Sequence, residues 1–322
     1  MKIFSKNNPK TYLYLMGGLG NQLFQVAAGL SFALNEGTSL VIDESFGNYR
    51  RNKKGKADLH DYGDSSYYNF FYKRYRTNFR NKYIGILLRL SLDSRKNKLN
   101  EFLISCLIKF NSVLLSKQFG DFVKIWNARD IGFEEISRDK KNKYLLGYFQ
   151  TYKYASEKTV KSIMEQFSVP EYILGNHKEI FQRENPLVVH IRLTDYESEP
   201  KFGVLSESYY EKAITLMISK YGFKHISVFS DDIEKAKKLI PERYYGLCRW
   251  MSGGSEPAVV TLEKMRWGSG YVIGNSSFSW WGAFLSHTKN APTVAPKPWF
   301  ADMAEPNELI PDYWIRVSRN GD

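Results

Sequence analysis

Leu187-Val188-Val189-His190-Ile191-Arg192-Leu193-Thr194-Asp195 is the stretch that decides how this chain folds. It has counterparts at Ile226-Ser227-Val228-Phe229-Ser230-Asp231-Asp232 and Gly270-Tyr271-Val272-Ile273-Gly274-Asn275-Ser276-Ser277. In each, a short apolar run gives way to polar residues at its C-terminal end. Runs of this length, rich in β-branched and aromatic residues, read as strands at 187–191, 225–230 and 270–273. Between and after them, apolar residues recur at helical spacing, which predicts helices over 208–221, 232–239, 256–266 and 278–287, and a short strand over 293–295. Pro241 ends the second of these helices. Strand-helix alternation repeated in this way predicts a parallel sheet covered on both faces.

Moving toward the N-terminus, 11–16 reads as a buried strand and 39–43 as another. The helix between them, 21–35, carries Leu23, Phe24, Ala27, Leu30 and Leu34 on one face and stops at Gly37. Residues 45–120 are basic, aromatic and interrupted, with helices expected around 83–91 and 99–115. A helix over 156–167 closes at Pro170. The fold class expected is α/β, as two Rossmann-like domains facing a cleft: 1–150, carrying a helical basic and aromatic insertion at about 45–120, and 151–322, with the last residues as candidates for crossing back.

At 322 residues, the chain has the length of about two domains of ~150 residues. Its 43% hydrophobic and 25% charged content excludes a disordered or collagenous chain. The greasiest region, 83–115, is cut by Arg89, Asp93, Arg95, Lys96, Lys98, Glu101 and Lys109, so nothing approaches the ~18 apolar residues of a membrane span. The N-terminus does not read as a signal peptide, and a cytoplasmic chain is expected. Cys106 and Cys248, with five scattered histidines, build neither a disulfide framework nor a zinc cage. Of the net charge of +12, residues 50–98 supply +10, through fourteen Lys/Arg and four Asp. Interleaved with Tyr67, Tyr68, Phe70, Phe71, Tyr72 and Tyr75, this charge fits a solvated face first and peripheral contact with an anionic membrane second. Nucleic acid comes last, because no basic helix or RNA-binding signature accompanies the charge.

Four polar clusters sit where expected strands end, and open parallel sheets bind ligands beyond the carboxyl ends of their strands. Gly17-Gly18-Leu19-Gly20-Asn21-Gln22 lets the backbone turn tightly before a helix whose N-terminal N–H groups can meet an anion. Asn21 and Gln22 fit a helix cap or a contact to a substrate hydroxyl. In the second cluster His190 and Arg192, one residue apart on a strand, point to one face. The Arg192 fork suits a phosphate, and a buried ion pair with Asp195 is the structural alternative. Asp232 reads as a helix cap, whereas Asp231 suits a ribose hydroxyl or a guanine N–H edge. Ser276 and Ser277 offer side-chain and backbone donors to a diphosphate at a helix start, and Trp280-Trp281 read as core. No Asp-x-Asp occurs, so no metal ligand set is implied.

Taken in order, Gly17-Gly18-Leu19-Gly20-Asn21-Gln22-Leu23-Phe24-Gln25, His190-x-Arg192-x-x-Asp195-Tyr196, Phe229-Ser230-Asp231-Asp232 and Asn275-Ser276-Ser277-Phe278-Ser279-Trp280-Trp281-Gly282-Ala283 resemble family 11 glycosyltransferases, the α-1,2-fucosyltransferases. Gly147-Tyr148-Phe149-Gln150, Gly203-Val204-Leu205, Tyr209-Tyr210-Glu211 and Ala295-Pro296-Lys297-x-Trp299-Phe300 support the match, which spans all but about 45–140. The resemblance implies a GT-B-type architecture, GDP-β-L-fucose as donor, inversion at the anomeric carbon and no metal or cofactor. The implied acceptor is a galactose-terminated oligosaccharide, lipid-linked where surface glycans are built. Carried over by motif, Arg192 holds the donor phosphates, His190 and Asp231 lie near guanine or ribose, and Ser276, Ser277 and Phe278 near the diphosphate and fucose. Gly18, Gly20, Asn21 and Asn275 complete the donor site. The candidate catalytic residues are Arg192, Asn21 and, as general base, Asp195; Glu197, Glu199 or a donor phosphate oxygen are the alternatives to Asp195, which would then orient Arg192. The sequence departs from the family pattern where Leu193-Thr194 replaces Arg-Gly and where Phe202 replaces a frequent His before Gly203.

Overall fold

The computed structural model describes residues 10–15, 17–43, 133, 143–145, 147–166, 169–194, 196, 201–252, 256–306 and 308–320. The expected insertion at 45–120 with its two helices and the basic stretch, and also Cys106, Asp195, Glu197 and Glu199, lie outside these residues. The chain divides after Gln166 into two units.

The first unit holds β1 (Lys10–Tyr14), α1 (Leu19–Glu36), β2 (Ser39–Asp43) and β3 (Lys143–Leu145). The strands run in the order β2-β1-β3, and both pairings are parallel. α1 forms because Leu23, Phe24, Ala27 and Ala28 give it an apolar face that disappears completely from solvent against Leu13 of β1. It ends where Gly37 takes a left-handed φ of 66° and returns its N–H to Ala33 O. The buried hydroxyls of Thr11 and Thr38 meet at 2.7 Å and tie β1 to the start of β2. α2 (Glu157–Gln166) packs on α1, and Tyr154 meets Phe32 with ring centroids 5.4 Å apart. Residues 151–166 belong to the first unit, in which Tyr154, Ala155 and Ile163 are buried.

The second unit opens with α3 (Glu171–Leu174) and α4 (His177–Glu184). It continues as β4 (Leu187–Ile191), α5 (Glu207–Tyr221), β5 (Ile226–Ser230), α6 (Ile233–Lys237), β6 (Cys248–Ser252), α7 (Ala258–Arg266), β7 (Gly270–Val272), α8 (Ser277–Phe284), β8 (Thr293–Lys297) and β9 (Ile315–Ser318). All strand pairs are parallel, in the order β6-β5-β4-β7-β8-β9. Counting from β4, this is the 3-2-1-4-5-6 order of a doubly wound sheet. Every residue of β4 is buried, so both faces of the sheet are covered, as the continuous apolar run requires. Leu187, Val189 and Ile191 share one core with Tyr209, Ala213, Ile214 and Met217 of α5. On α7 and α8, Gly282 lies so close to Met265 that a Cβ there would meet its Cε at 3.2 Å. Trp280 and Trp281 are wholly buried, as core residues should be.

Ile315–Ser318 pairs in register with Val294–Lys297 and completes the second sheet, where its N–H and C=O groups find partners. One sequence expectation needs correction. The strand carrying His190 ends at Ile191, so Arg192 lies in the loop beyond it rather than on one strand face with His190. Among the described residues, no helix is long and apolar enough to cross a membrane.

Candidate active site

The order of the second sheet places a topological switch point between β4 and β7. From β4 the chain crosses over to β5 on one side, and from β7 it crosses to β8 on the other, so a crevice opens beyond the carboxyl ends of these two neighbours. His190 and Arg192 lie at the end of β4, Asp231 at the end of the adjacent β5, and Asn275, Ser276, Ser277 and Phe278 just past β7. These seven sequence-identified residues converge on one edge of one sheet.

Asp231 is the hub of the first half of this site. Its Oδ1 accepts the backbone N–H of Leu193 at 3.0 Å. Its Oδ2 accepts the N–H of Thr194 at 3.1 Å and the Thr194 hydroxyl at 2.5 Å. Nη1 of Arg192 stands 3.4 Å from the same Oδ2. Burial by itself would raise the Asp231 pKa, but the Thr194 hydroxyl, the Arg192 charge and the two backbone N–H groups outweigh it and hold the carboxyl below its ordinary range. Asp231 therefore stays ionised and fixes the loop that carries Arg192. The sequence reading aimed this carboxylate at a ribose or a guanine; in the structure both of its oxygens are engaged by residues 192–194. Asp232 is the helix cap the sequence suggested, accepting from Lys235 N–H at 3.1 Å.

On the other side of the switch point, Ser276 caps α8 by accepting the N–H of Phe278 at 3.3 Å. The ring of Phe278 faces that of His190, with centroids 5.9 Å apart. Two adjacent tyrosines of α5 tie the ends of the two strands together from beneath: Tyr209 donates to Ile273 O at 2.6 Å and Tyr210 to His190 O at 3.4 Å. Burial pushes both phenols well above their ordinary pKa, so they serve as donors. Gly274 keeps the gap narrow, since a Cβ there would come within 3.1 Å of His190 O. The side chain of Asn275 does not point outward to a ligand in this structure; its Nδ2 donates to Phe202 O at 2.8 Å and Gly203 O at 3.1 Å.

In the first unit, β1 likewise lies between β2 and β3, and the glycine turn follows its carboxyl end. Gly17 adopts φ 76°, and a Cβ on it would stand 2.8 Å from Asn21 Nδ2. Gly18 precedes α1, Gly20 is buried within its first turn, and Gln22 donates to Gly17 O at 2.7 Å. Asn21 is held by Gln150, whose Nε2 donates to Asn21 Oδ1 at 2.8 Å. Gln150 stands in a segment that supported the family resemblance, yet it was not among the candidate site residues. Thr194, Tyr209, Tyr210 and Arg319 are likewise not among the candidates; Thr194 and the two tyrosines stand in such segments, Arg319 does not.

A doubly wound sheet that gathers polar loops at its switch point is the ligand-binding architecture of open α/β proteins. The chain belongs to glycosyl transferase family 11, whose family model matches residues 12–316, and it is a glycosyltransferase. Over 324 aligned residues it is 30% identical to the O-antigen biosynthesis glycosyltransferase WbnK of Escherichia coli, covering 95% of this chain and all of that one. It is 28% identical to an alpha-1,2-colitosyltransferase of Escherichia coli, over 95% of this chain and 98% of that one. Among solved structures, fucosyltransferase NodZ from Bradyrhizobium shows a distant likeness, with TM-score 0.46 at 12% identity over 87% of this chain and 94% of that one.

Proposed function

We propose that the protein transfers L-fucose from GDP-β-L-fucose to the 2-hydroxyl of a terminal β-galactoside, with inversion and without a metal ion. The observation that carries this reading is the β4–β7 switch point, where the loop of Arg192 and the start of α8 share one crevice. As the bond between C1 of the sugar and the phosphate oxygen breaks, negative charge grows on the GDP leaving group. Arg192 and the Ser276–Ser277 N–H groups supply fixed positive potential for that charge. Asp231 keeps the guanidinium oriented, so little reorganisation is needed during the reaction. His190 and Phe278 are assigned to the nucleotide and sugar side, and Gly18, Gly20 and Asn21 join the donor contacts by family motif. The acceptor hydroxyl must lose its proton as it attacks C1, and Asp195 is proposed as the base.

The acceptor is proposed to be a galactose-terminated, lipid-linked glycan, in keeping with the O-antigen relative. The basic residues 50–98 are proposed to bring the chain to an anionic membrane surface at the cytoplasmic face. A second reading, transfer of a different sugar from its GDP-activated donor, is favoured by the alpha-1,2-colitosyltransferase relative. Incubation with GDP-fucose and lactose in excess EDTA, followed by NMR assignment of the new linkage, tests the proposal. An α-1,2-fucosylated product is expected. No transfer from GDP-fucose, a different linkage, or turnover that only Mg²⁺ or Mn²⁺ restores would refute it as stated.

A further inference from the structure

The loop between β4 and α5 is fastened twice at one dipeptide. Asn275 Nδ2 donates to the carbonyl oxygens of Phe202 and Gly203 at 2.8 and 3.1 Å, and Arg319 Nη2 donates to the same two oxygens at 3.1 and 3.2 Å. Both lone-pair sites of each carbonyl are thereby used. Gly203 sits at φ 63°, and a Cβ on it would stand 2.8 Å from Arg319 Nη2 and 2.9 Å from Ala301 Cβ. Glycine at this position is what lets the guanidinium approach. Arg319, only 7% exposed, follows the last strand, and its carbonyl accepts the hydroxyl of Ser206, the cap of α5, at 2.9 Å. Connecting loops are ordinarily the mobile parts of a fold, so a doubly pinned dipeptide beside the switch point marks a segment whose position matters.

What the clamp presents is a ring. Phe202 is half-buried, stacks on Tyr196 with centroids 5.2 Å apart and planes 28° apart, and lies 5.9 Å from Phe300. The Tyr196 hydroxyl donates to Asn275 O at 3.1 Å, so the aromatic pair is fastened to Asn275 from both members. Asn275 immediately precedes Ser276, the cap of the helix assigned to the diphosphate. A donor hexose is joined directly to the β-phosphate, so its ring must lie close to that helix start. Hexoses carry apolar C–H faces, and a 6-deoxyhexose adds a methyl group; both suit an aromatic surface whose polar end is already engaged.

We propose that Phe202 is the surface against which the donor hexose packs, and that Arg319 is the positioning residue that holds it there. The proposal rests on the reading of the switch point as a GDP-sugar site. GDP carries the base and the diphosphate but no hexose, so comparing it with GDP-fucose isolates the sugar contact. The test is calorimetric binding of GDP and steady-state KM for GDP-fucose and lactose, for the full chain and for Phe202→Ala, Phe202→Leu, Arg319→Ala and Arg319→Lys. Phe202→Ala should raise the GDP-fucose KM about tenfold, with Phe202→Leu intermediate, while the Kd for GDP and the lactose KM stay within twofold. Arg319→Ala should show the same pattern, partly restored in Arg319→Lys because an ammonium lacks the fixed fork. An unchanged GDP-fucose KM in Phe202→Ala, or a rise confined to lactose, would overturn the proposal. Equal weakening of GDP and GDP-fucose in both Arg319 variants would make Arg319 structural only and overturn its positioning role. If Arg319→Ala does not fold, the Phe202 pair and Arg319→Lys decide the matter. Failure of the wild type to bind GDP would overturn the donor-site reading itself, and this proposal with it.

Discussion

Replacing Asp231 by Asn tests whether one carboxylate holds the loop that carries Arg192. In the native site its oxygens take the N–H groups of Leu193 and Thr194 and the Thr194 hydroxyl, with Arg192 Nη1 alongside. Asn has the same shape but only one acceptor oxygen. With that oxygen toward Leu193, its NH₂ faces the Thr194 N–H, donor against donor, while the Thr194 hydroxyl rotates to accept. One backbone N–H loses its partner and a charge-assisted bond weakens, at a cost of about 2–3 kcal/mol. The half-exposed pair with Arg192 adds no more than about 1 kcal/mol. The expected loss of about 2–4 kcal/mol should lower Tm by roughly 5–10 °C. Release of Arg192 should also reduce kcat/KM by about tenfold or more. The pH dependence supplies a second check. The folded-state pKa of Asp231 lies below its unfolded value of about 3.9, so its contribution is present above that pH and is lost as pH falls through the folded value. Thermal unfolding of both proteins, followed by circular dichroism from pH 7 to pH 3, should show a Tm gap that is constant near neutrality and narrows below about pH 4. A variant with wild-type Tm and kcat/KM, or a gap that stays constant to pH 3, would refute the clamp.

Arg192→Ala should cut kcat by about 10²-fold or more by removing a donor aimed at the developing charge, and Arg192→Lys should rescue poorly; a Lys variant at nearly the wild-type rate would show that charge alone suffices. Changing Arg51, Lys53, Lys54 and Lys56 to Gln should weaken salt-sensitive flotation with anionic vesicles and leave turnover on lactose unchanged. Wild-type chain that ignores such vesicles at low salt would reduce the basic stretch to a solvated surface.

The sequence by itself determined the central strands and the polar ends that make the site. The run Leu187–Ile191 is buried on both faces, and burial of that kind demands continuous apolar residues, so β4, β5 and β7 were legible together with the polar residues that follow them. The glycine turn before α1 and the cap at Asp232 were legible for the same local reason: a backbone conformation or an orphan N–H restricts which residue can stand there. Strands β6 and β9 were not legible. Cys248–Ser252 and Ile315–Ser318 are edge strands whose side chains at 248–251 and 315–318 are half-buried or exposed, so they carry no continuous apolar signal, and their identity comes from backbone pairing with distant partners. Only that pairing fixes the order β6-β5-β4-β7-β8-β9, and only that order makes the gap between β4 and β7 a switch point. The tertiary structure alone also gave Asp231 its partners 37 and 38 residues away and brought Arg319 to a dipeptide more than 100 residues before it. Local sequence records what a residue needs from its own backbone and from solvent. Which distant carbonyl a buried guanidinium satisfies is settled only once the chain has packed, because the desolvated donor must find an acceptor among whatever the fold has placed beside it.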